Sequence, residues 1–133
     1  MSFNNTMDLI CALFQFKPKV NKQFKGNYDK KFGLITPIAE IEDDFIFVNL
    51  IKTNDKLTNQ IALNIKSSYD DSRKLYFVDL DNFFRIDKET FLSITDKASY
   101  ILDLGLDTNI LVKIQSLLNN EEAKFKLYWF NNK

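Results

Sequence analysis

Lys30, Lys31, Lys52 and Thr53 carry this chain's clearest capacity for chemistry. Lys30-Lys31 close a lysine-rich stretch just before an apolar run, and Lys52-Thr53 follow a second apolar run. If the two runs pair as a hairpin, residues 31 and 52 lie at the same end and converge on one anion. Ammonium groups and a hydroxyl held together can bind a phosphate and stabilise charge that develops on it. RNA brings its own nucleophile, the 2′-hydroxyl, so its cleavage by internal attack needs neither a protein nucleophile nor a metal. The competing reading is that these four are ordinary solvated residues, as most lysines are.

Other chemistries are closed off by what the chain lacks. It has no histidine. That excludes a histidine-based triad, a histidine acid/base pair and nearly all catalytic zinc sites. Cys11 is the one cysteine, so no internal disulfide and no cysteine metal cluster can form. There is no glycine-rich phosphate loop, no nucleophile elbow and no Cys-x-x-Cys. Asp79, Asp81 and Asp87 are closely spaced, and Asp79 and Asp81 share one face of a strand that could hold Mg²⁺. The same spacing fits a polar strand face and a turn. Asp43-Asp44 and Asp70-Asp71 read as turns. No metal and no cofactor is therefore expected.

Bulk properties narrow the partners. The 133 residues fit a single domain, 1–133, and 45% hydrophobic residues suffice for a core without staples. Eighteen basic and eighteen acidic side chains cancel. A protein that holds nucleic acid by bulk charge is basic, so contact with RNA must come from a local patch. Such a patch exists at 17–31, where six lysines surround Phe24 and Tyr28. Sixteen of the basic residues are Lys and only Arg73 and Arg85 are Arg, as coding bias in an AT-rich genome produces. With no leader pattern, no apolar run near 18 residues and one cysteine, the expected compartment is the cytoplasm, away from membranes.

The elements that must position these residues are mostly short strands. Residues 7–16 are apolar and allow a strand or a helix up to Pro18. Residues 17–31 read as a basic loop. Residues 32–41 and 44–51 read as two strands joined through Glu42-Asp43-Asp44. In 59–66, Ile61, Leu63 and Ile65 alternate with polar neighbours, the pattern of a half-buried strand. After a polar turn, 74–80 forms another strand, and 83–86 extends it past a kink at Asp81-Asn82. Asp87 is placed to cap a helical turn. Asp107 opens a helix whose Ile110, Leu111, Ile114, Leu117 and Leu118 form an amphipathic stripe, ended by Asn119-Asn120. Residues 124–130 alternate again, as a last strand or a packed tail. No repeat and no linker divides the chain. The expected class is α+β: a small, strongly bent antiparallel sheet or barrel with a C-terminal helix.

This order of segments resembles the MazF/PemK-like toxin superfamily, including its ToxN branch. Asp8-Leu9-Ile10 with Phe14-Gln15-Phe16 is similar to the family's opening strand. The basic loop to Lys31, then Phe32-Gly33-Leu34-Ile35, resembles its loop and second strand. Phe45 through Ile51 with Lys52-Thr53 resembles the strand that ends in a Thr/Ser pair. Leu75 through Asp81, then Phe84-Arg85-Ile86-Asp87-Lys88, is the nearest match, and 102–118 is similar to the C-terminal segment. The resemblance covers about 8–118, leaving 121–133 as an extra C-terminal strand or tail. Where members often carry Arg then Pro, this chain has Lys31 and Phe32, and Lys52 replaces the first residue of the Thr/Ser pair. Lysine keeps the charge and loses the bidentate fork.

The resemblance implies an SH3-like barrel and a metal-independent endoribonuclease, a hydrolase of toxin–antitoxin or phage-defence systems. Lys31 is then the group that stabilises the phosphorane, Thr53 hydrogen-bonds a phosphate oxygen, and Lys52 binds or polarises it. Lys22, Phe24, Lys25, Tyr28, Lys30 and Arg85 become the grip on single-stranded RNA through charge and stacking. An antitoxin (protein or RNA) and a homodimer are the implied further partners. The alternative is a catalytically degenerate barrel that binds protein, from a phage or mobile element, with Phe125, Trp129 and Phe130 as its interface. A structural subunit of such an element is a third reading.

Overall fold

Two residues, Glu42 and Asp43, reverse the chain between the strands β2 (Leu34–Ile41) and β3 (Asp44–Ile51), with Ile41 paired to Asp44. In this computed structural model, residues 12–18, 20, 28, 30–53, 57–67, 69–70, 72–102, 112, 116, 119 and 126–130 are described. Glu42 adopts a φ of 55°, the left-handed conformation that a tight turn imposes. Further along β2, Pro37 cannot donate to a ladder, and the register shifts beside it: Pro37 faces Phe47 while Ala39 faces Ile46. Ile38 is the extra residue, and it points into the core.

β3 is buried on both faces, as its uninterrupted apolar run demands. Alternation sends Ile46, Val48 and Leu50 to one cluster with Leu34, Leu63, Ile65, Tyr76 and Val78. Phe45 and Phe47 go to the other cluster, with Phe14, Ile35, Phe84, Phe91 and Tyr128. The second cluster is aromatic. Phe47 stacks on Phe84 at 5.1 Å and 18°, and Phe84 stacks on Tyr128 at 5.1 Å and 20°.

Beside β3 lies one bent path made of β5 (Arg73–Asp79) and β6 (Asn82–Asp87). Val78 pairs with Leu50 and Phe84 with Phe47, so six residues advance on one strand against three on the other. The surplus sits at Leu80-Asp81-Asn82, where the kink was expected. Asp81 uses that kink: its carboxylate accepts from the backbone N–H of Thr58 (2.7 Å) and Asn59 (2.8 Å) and holds the entry to β4 (Gln60–Ser67). β4 and β5 form a regular antiparallel hairpin.

Asp87 caps the helix α1 (Lys88–Ile94), accepting from the Thr90 N–H at 3.0 Å. α1 drives Phe91 into the aromatic cluster. β7 (Thr95–Lys97) then pairs with β1 (Phe14–Phe16), and β8 (Tyr100–Leu102) with β4. The last strand, β9 (Lys126–Trp129), lies parallel to β6 and buries Tyr128. Among the described residues nine strands form one sheet, antiparallel except for the β6–β9 pair, and α1 packs against it: an α+β arrangement. Among the described residues the strand path β7-β1-β2-β3-β5-β4-β8 is not closed into a barrel.

The strands that the sequence predicts at 32–41, 44–51, 59–66 and 74–80 stand within two residues of those bounds. Of the apolar stretch 7–16, residues 14–16 are strand, and 7–11 lie outside the described residues. So do most of the basic loop and the stripe Ile110, Leu111, Ile114, Leu117 and Leu118. Val112, Ser116 and Asn119 are described as helical and exposed. Among the described residues no helix is long and apolar enough to cross a membrane.

Candidate functional site

The β2–β3 register determines where the candidate residues meet. Leu34 pairs with Leu50, so the chain entering β2 and the chain leaving β3 lie at one end of the hairpin. Lys31, Lys52 and Thr53 are therefore brought to that end, and all three are exposed. Lys30 is there too, its ammonium 5.8 Å from the centre of the Tyr28 ring.

Residues 31–33 precede the strand, and a side chain holds them instead of a ladder. Asn49 stands on the parity of Phe45 and Phe47, fully buried, one polar group at the end of an aromatic row. Its Nδ2 donates to the Lys31 carbonyl at 2.8 Å, and its Oδ1 accepts the Gly33 N–H at 3.0 Å. The carboxamide thus does for this segment what a peptide unit of a neighbouring strand does elsewhere. Gly33 lies so close to β3 that a Cβ there would sit 2.6 Å from the Leu50 carbonyl oxygen. Only glycine fits that approach without displacing backbone.

The second Nδ2 hydrogen of Asn49 goes to the Tyr28 hydroxyl at 2.9 Å, and that hydroxyl donates to Asp79 Oδ2 at 2.9 Å. Asp79 is fully buried and also accepts from Asn82 Nδ2 and from the Asp81 N–H, both at 2.9 Å. Every partner of the Asp79 carboxylate here is a donor, so the group is satisfied despite its burial. The network joins the end of the basic loop, the end of β3 and the β5–β6 kink.

The remaining sequence-derived candidates fall into three groups. Lys22, Phe24 and Lys25 lie outside the described residues. Tyr28 is half-buried, its ring set against Phe32, Phe84 and Tyr128 at 5.1, 4.9 and 5.8 Å. That ring is a wall of the aromatic core and not an open platform for a base. Arg85 pairs with Ile46, a strand distance of about 20 Å from Lys52 along β3. Its guanidinium binds Asp44 at 2.7 Å and lies 4.5 Å from the Trp129 ring centre. Arg85 is thus not brought to the hairpin end.

Asp79 and Asp81 serve as hydrogen-bond acceptors for the fold, and no group of three metal-ligating side chains occurs among the described residues. Asn49 and Gly33 take part through the tertiary structure and carry no motif of their own. The sequence signal is a polar residue within Phe45–Ile51 on a buried parity, which must find partners.

Lysines at an exposed end act through a solvent-screened field. A phosphate 4 Å from one ammonium gains about 1 kcal/mol in water and about 4 kcal/mol where the effective dielectric falls to about 20. Several cations are needed for useful binding; Lys30, Lys31 and Lys52 are the lysines that the chain carries at this end of the hairpin.

Comparison of the chain with protein-family models, with curated proteins and with solved structures finds no match in any of the three.

Proposed function

We propose that this chain is a metal-independent endoribonuclease that cleaves single-stranded RNA, in the manner of the MazF/PemK-like toxins. The strongly bent sheet is then read as a variant of their SH3-like barrel. The observation that carries the proposal is the meeting of Lys31 with Lys52-Thr53 at one end of the β2–β3 hairpin, next to the basic loop. In the proposed reaction the RNA 2′-oxygen attacks the adjacent phosphorus and its proton passes to solvent. The bond to the 5′-oxygen breaks and that oxygen takes a proton from water. The products carry a 2′,3′-cyclic phosphate and a 5′-hydroxyl.

Lys31 stabilises the extra negative charge on the phosphorane, Lys52 binds the same group, and Thr53 donates to a non-bridging oxygen. Lys22, Phe24, Lys25 and Lys30 extend the grip on RNA. Tyr28 supports the loop from inside, and Arg85 serves the β6–β9 end. A cognate antitoxin and a second copy of the chain complete this reading, in a cytoplasmic toxin–antitoxin or phage-defence setting.

A second reading, a protein-binding module without catalysis, draws on the exposure of Leu127 and Trp129, each 43% accessible on β9. One experiment separates the two. Purified protein is incubated with mixed single-stranded RNA in excess EDTA, beside Lys31→Ala and Thr53→Ala. Discrete cuts by the wild type alone, with cyclic phosphate ends, support the ribonuclease. Intact RNA, with a copurified partner ruled out by mass spectrometry, favours the binding module.

A further inference from the structure

We infer that Tyr28, Asn49 and Asp79 form a latch that positions Lys31 for the anion, an inference that rests on the hairpin end being the phosphate site. Lys31 is exposed, and its backbone is tied to the interior. The carbonyl is held by Asn49, and two residues on, the Gly33 N–H is held by the same carboxamide. Asn49 has one orientation that satisfies this arrangement, because two acceptors face Nδ2 and one donor faces Oδ1.

The Lys31 carbonyl and the Gly33 N–H set that orientation, and Tyr28 anchors it from the far side. Its hydroxyl proton goes to Asp79, so its lone pair must receive the Asn49 Nδ2 hydrogen. Asp79 is in turn held by Asn82 Nδ2 and the Asp81 N–H at the kink. The order of action runs from the kink through Asp79 and Tyr28 to Asn49 and the Lys31 backbone. These are positioning residues. None of them reaches the phosphate in the proposed reaction, and a site whose cation is displaced by about 1 Å loses on the order of 10²-fold in rate.

Removing the Tyr28 hydroxyl alone tests this. Tyr28→Phe keeps the ring against Phe32, Phe84 and Tyr128, and Tyr69→Phe removes a hydroxyl from a tyrosine that is 84% exposed, as control. The full chain is read three ways: RNA cleavage kinetics, amide exchange by NMR, and titration with inorganic phosphate followed at the Lys31 and Thr53 amides. The latch predicts a kcat lowered about tenfold or more with KM changed less than twofold. It predicts Gly33 exchange about tenfold faster while β3 and β5 amides keep their protection, and weaker phosphate binding than in the wild type. Tyr69→Phe should match the wild type throughout.

Unchanged Gly33 exchange overturns the latch. So does uniformly faster exchange across β3 and β5, which would mark an ordinary stabilising bond. A wild type that binds phosphate at Lys31 and Thr53 but leaves RNA intact overturns the ribonuclease and keeps the latch. A wild type that shows no shift with phosphate overturns both.

Discussion

Asn49 offers one donor group and one acceptor to a segment that lies against β3 ahead of the ladder, and that close approach leaves neighbouring positions little tolerance. Gly33→Ala places a methyl 2.6 Å from the Leu50 carbonyl, against backbone that cannot turn aside. A loss of about 2 kcal/mol in urea unfolding is expected, the ordinary cost of overpacking, together with a displaced Lys31. Asp79→Ala strands the Tyr28 hydroxyl, the Asn82 amide and the Asp81 N–H around a void. It should cost about 3 kcal/mol or more, since each buried donor left unmet costs roughly 1–3 kcal/mol. Glu42→Gly acts in the other direction. The turn demands φ 55° there, and glycine adopts it without a Cβ clash. A gain of about 0.5–1 kcal/mol is expected, after glycine's greater loss of chain entropy is allowed for. An unchanged or lower denaturation midpoint would show that the turn relaxes around Glu42.

β9 and the β4–β5 hairpin show how faces and ends of strands differ in worth. Tyr128 and Trp129 are adjacent on β9, yet Tyr128 is buried on Phe84 while Trp129 faces outward over Arg85. Tyr128→Ala should cost about 3–5 kcal/mol, as deletion of a core aromatic does. Trp129→Ala should cost about 1 kcal/mol, from a partly exposed cation–π contact and modest burial. Thermal unfolding of the two variants side by side checks the contrast, and equal losses would mean that β9 docks through both faces. The hairpin turn carries a separate, pH-linked device. The Asp70 carboxyl is held below its ordinary value, first by the Ser72 side chain and then by the Ser72 N–H at 2.7 Å. A depressed acid stabilises the folded form above its unfolded titration range and loses that contribution as pH falls through the lower folded value. The Ser72 amide shift should therefore follow Asp70 on acidification and titrate below the usual aspartate range. A midpoint at or above that range would dismiss the device.

For the complete chain, the lack of histidine makes a statement about rate. The proposed cleavage has no group that changes charge near neutral pH to act as base, so deprotonation of the 2′-hydroxyl falls to solvent. The rate should climb with pH from about 6 to 9, without the descending limb that a histidine acid produces. A bell centred near pH 7 would point to a group outside this scheme. Binding should also weaken steeply with salt, as contacts made by exposed lysines do.

Chain order was enough for most of the strands and for the pairing of β2 with β3. Alternation in 59–66, the turn residues at 42–44, the kink at 81–82 and the Asp87 cap are local effects of sterics and solvation, which act over a few residues. It also placed Lys31 and Lys52-Thr53 at one end of the hairpin, because the shift beside Pro37 moves the register by only one residue. It could not separate the two aromatic roles. Tyr28 reads as a stacking surface in a basic loop, but its hydroxyl meets Asp79, 51 positions away, and its ring closes the core. Arg85 reads as one more cation, but Asp44 and Trp129 claim it from two other strands. Asn49 looks like a blemish in an apolar strand until Lys31, Gly33 and Tyr28 surround it. Such partners are chosen by where the sheet bends, and that bend comes from three surplus residues set against β3, a non-local pairing that neighbouring residues do not encode.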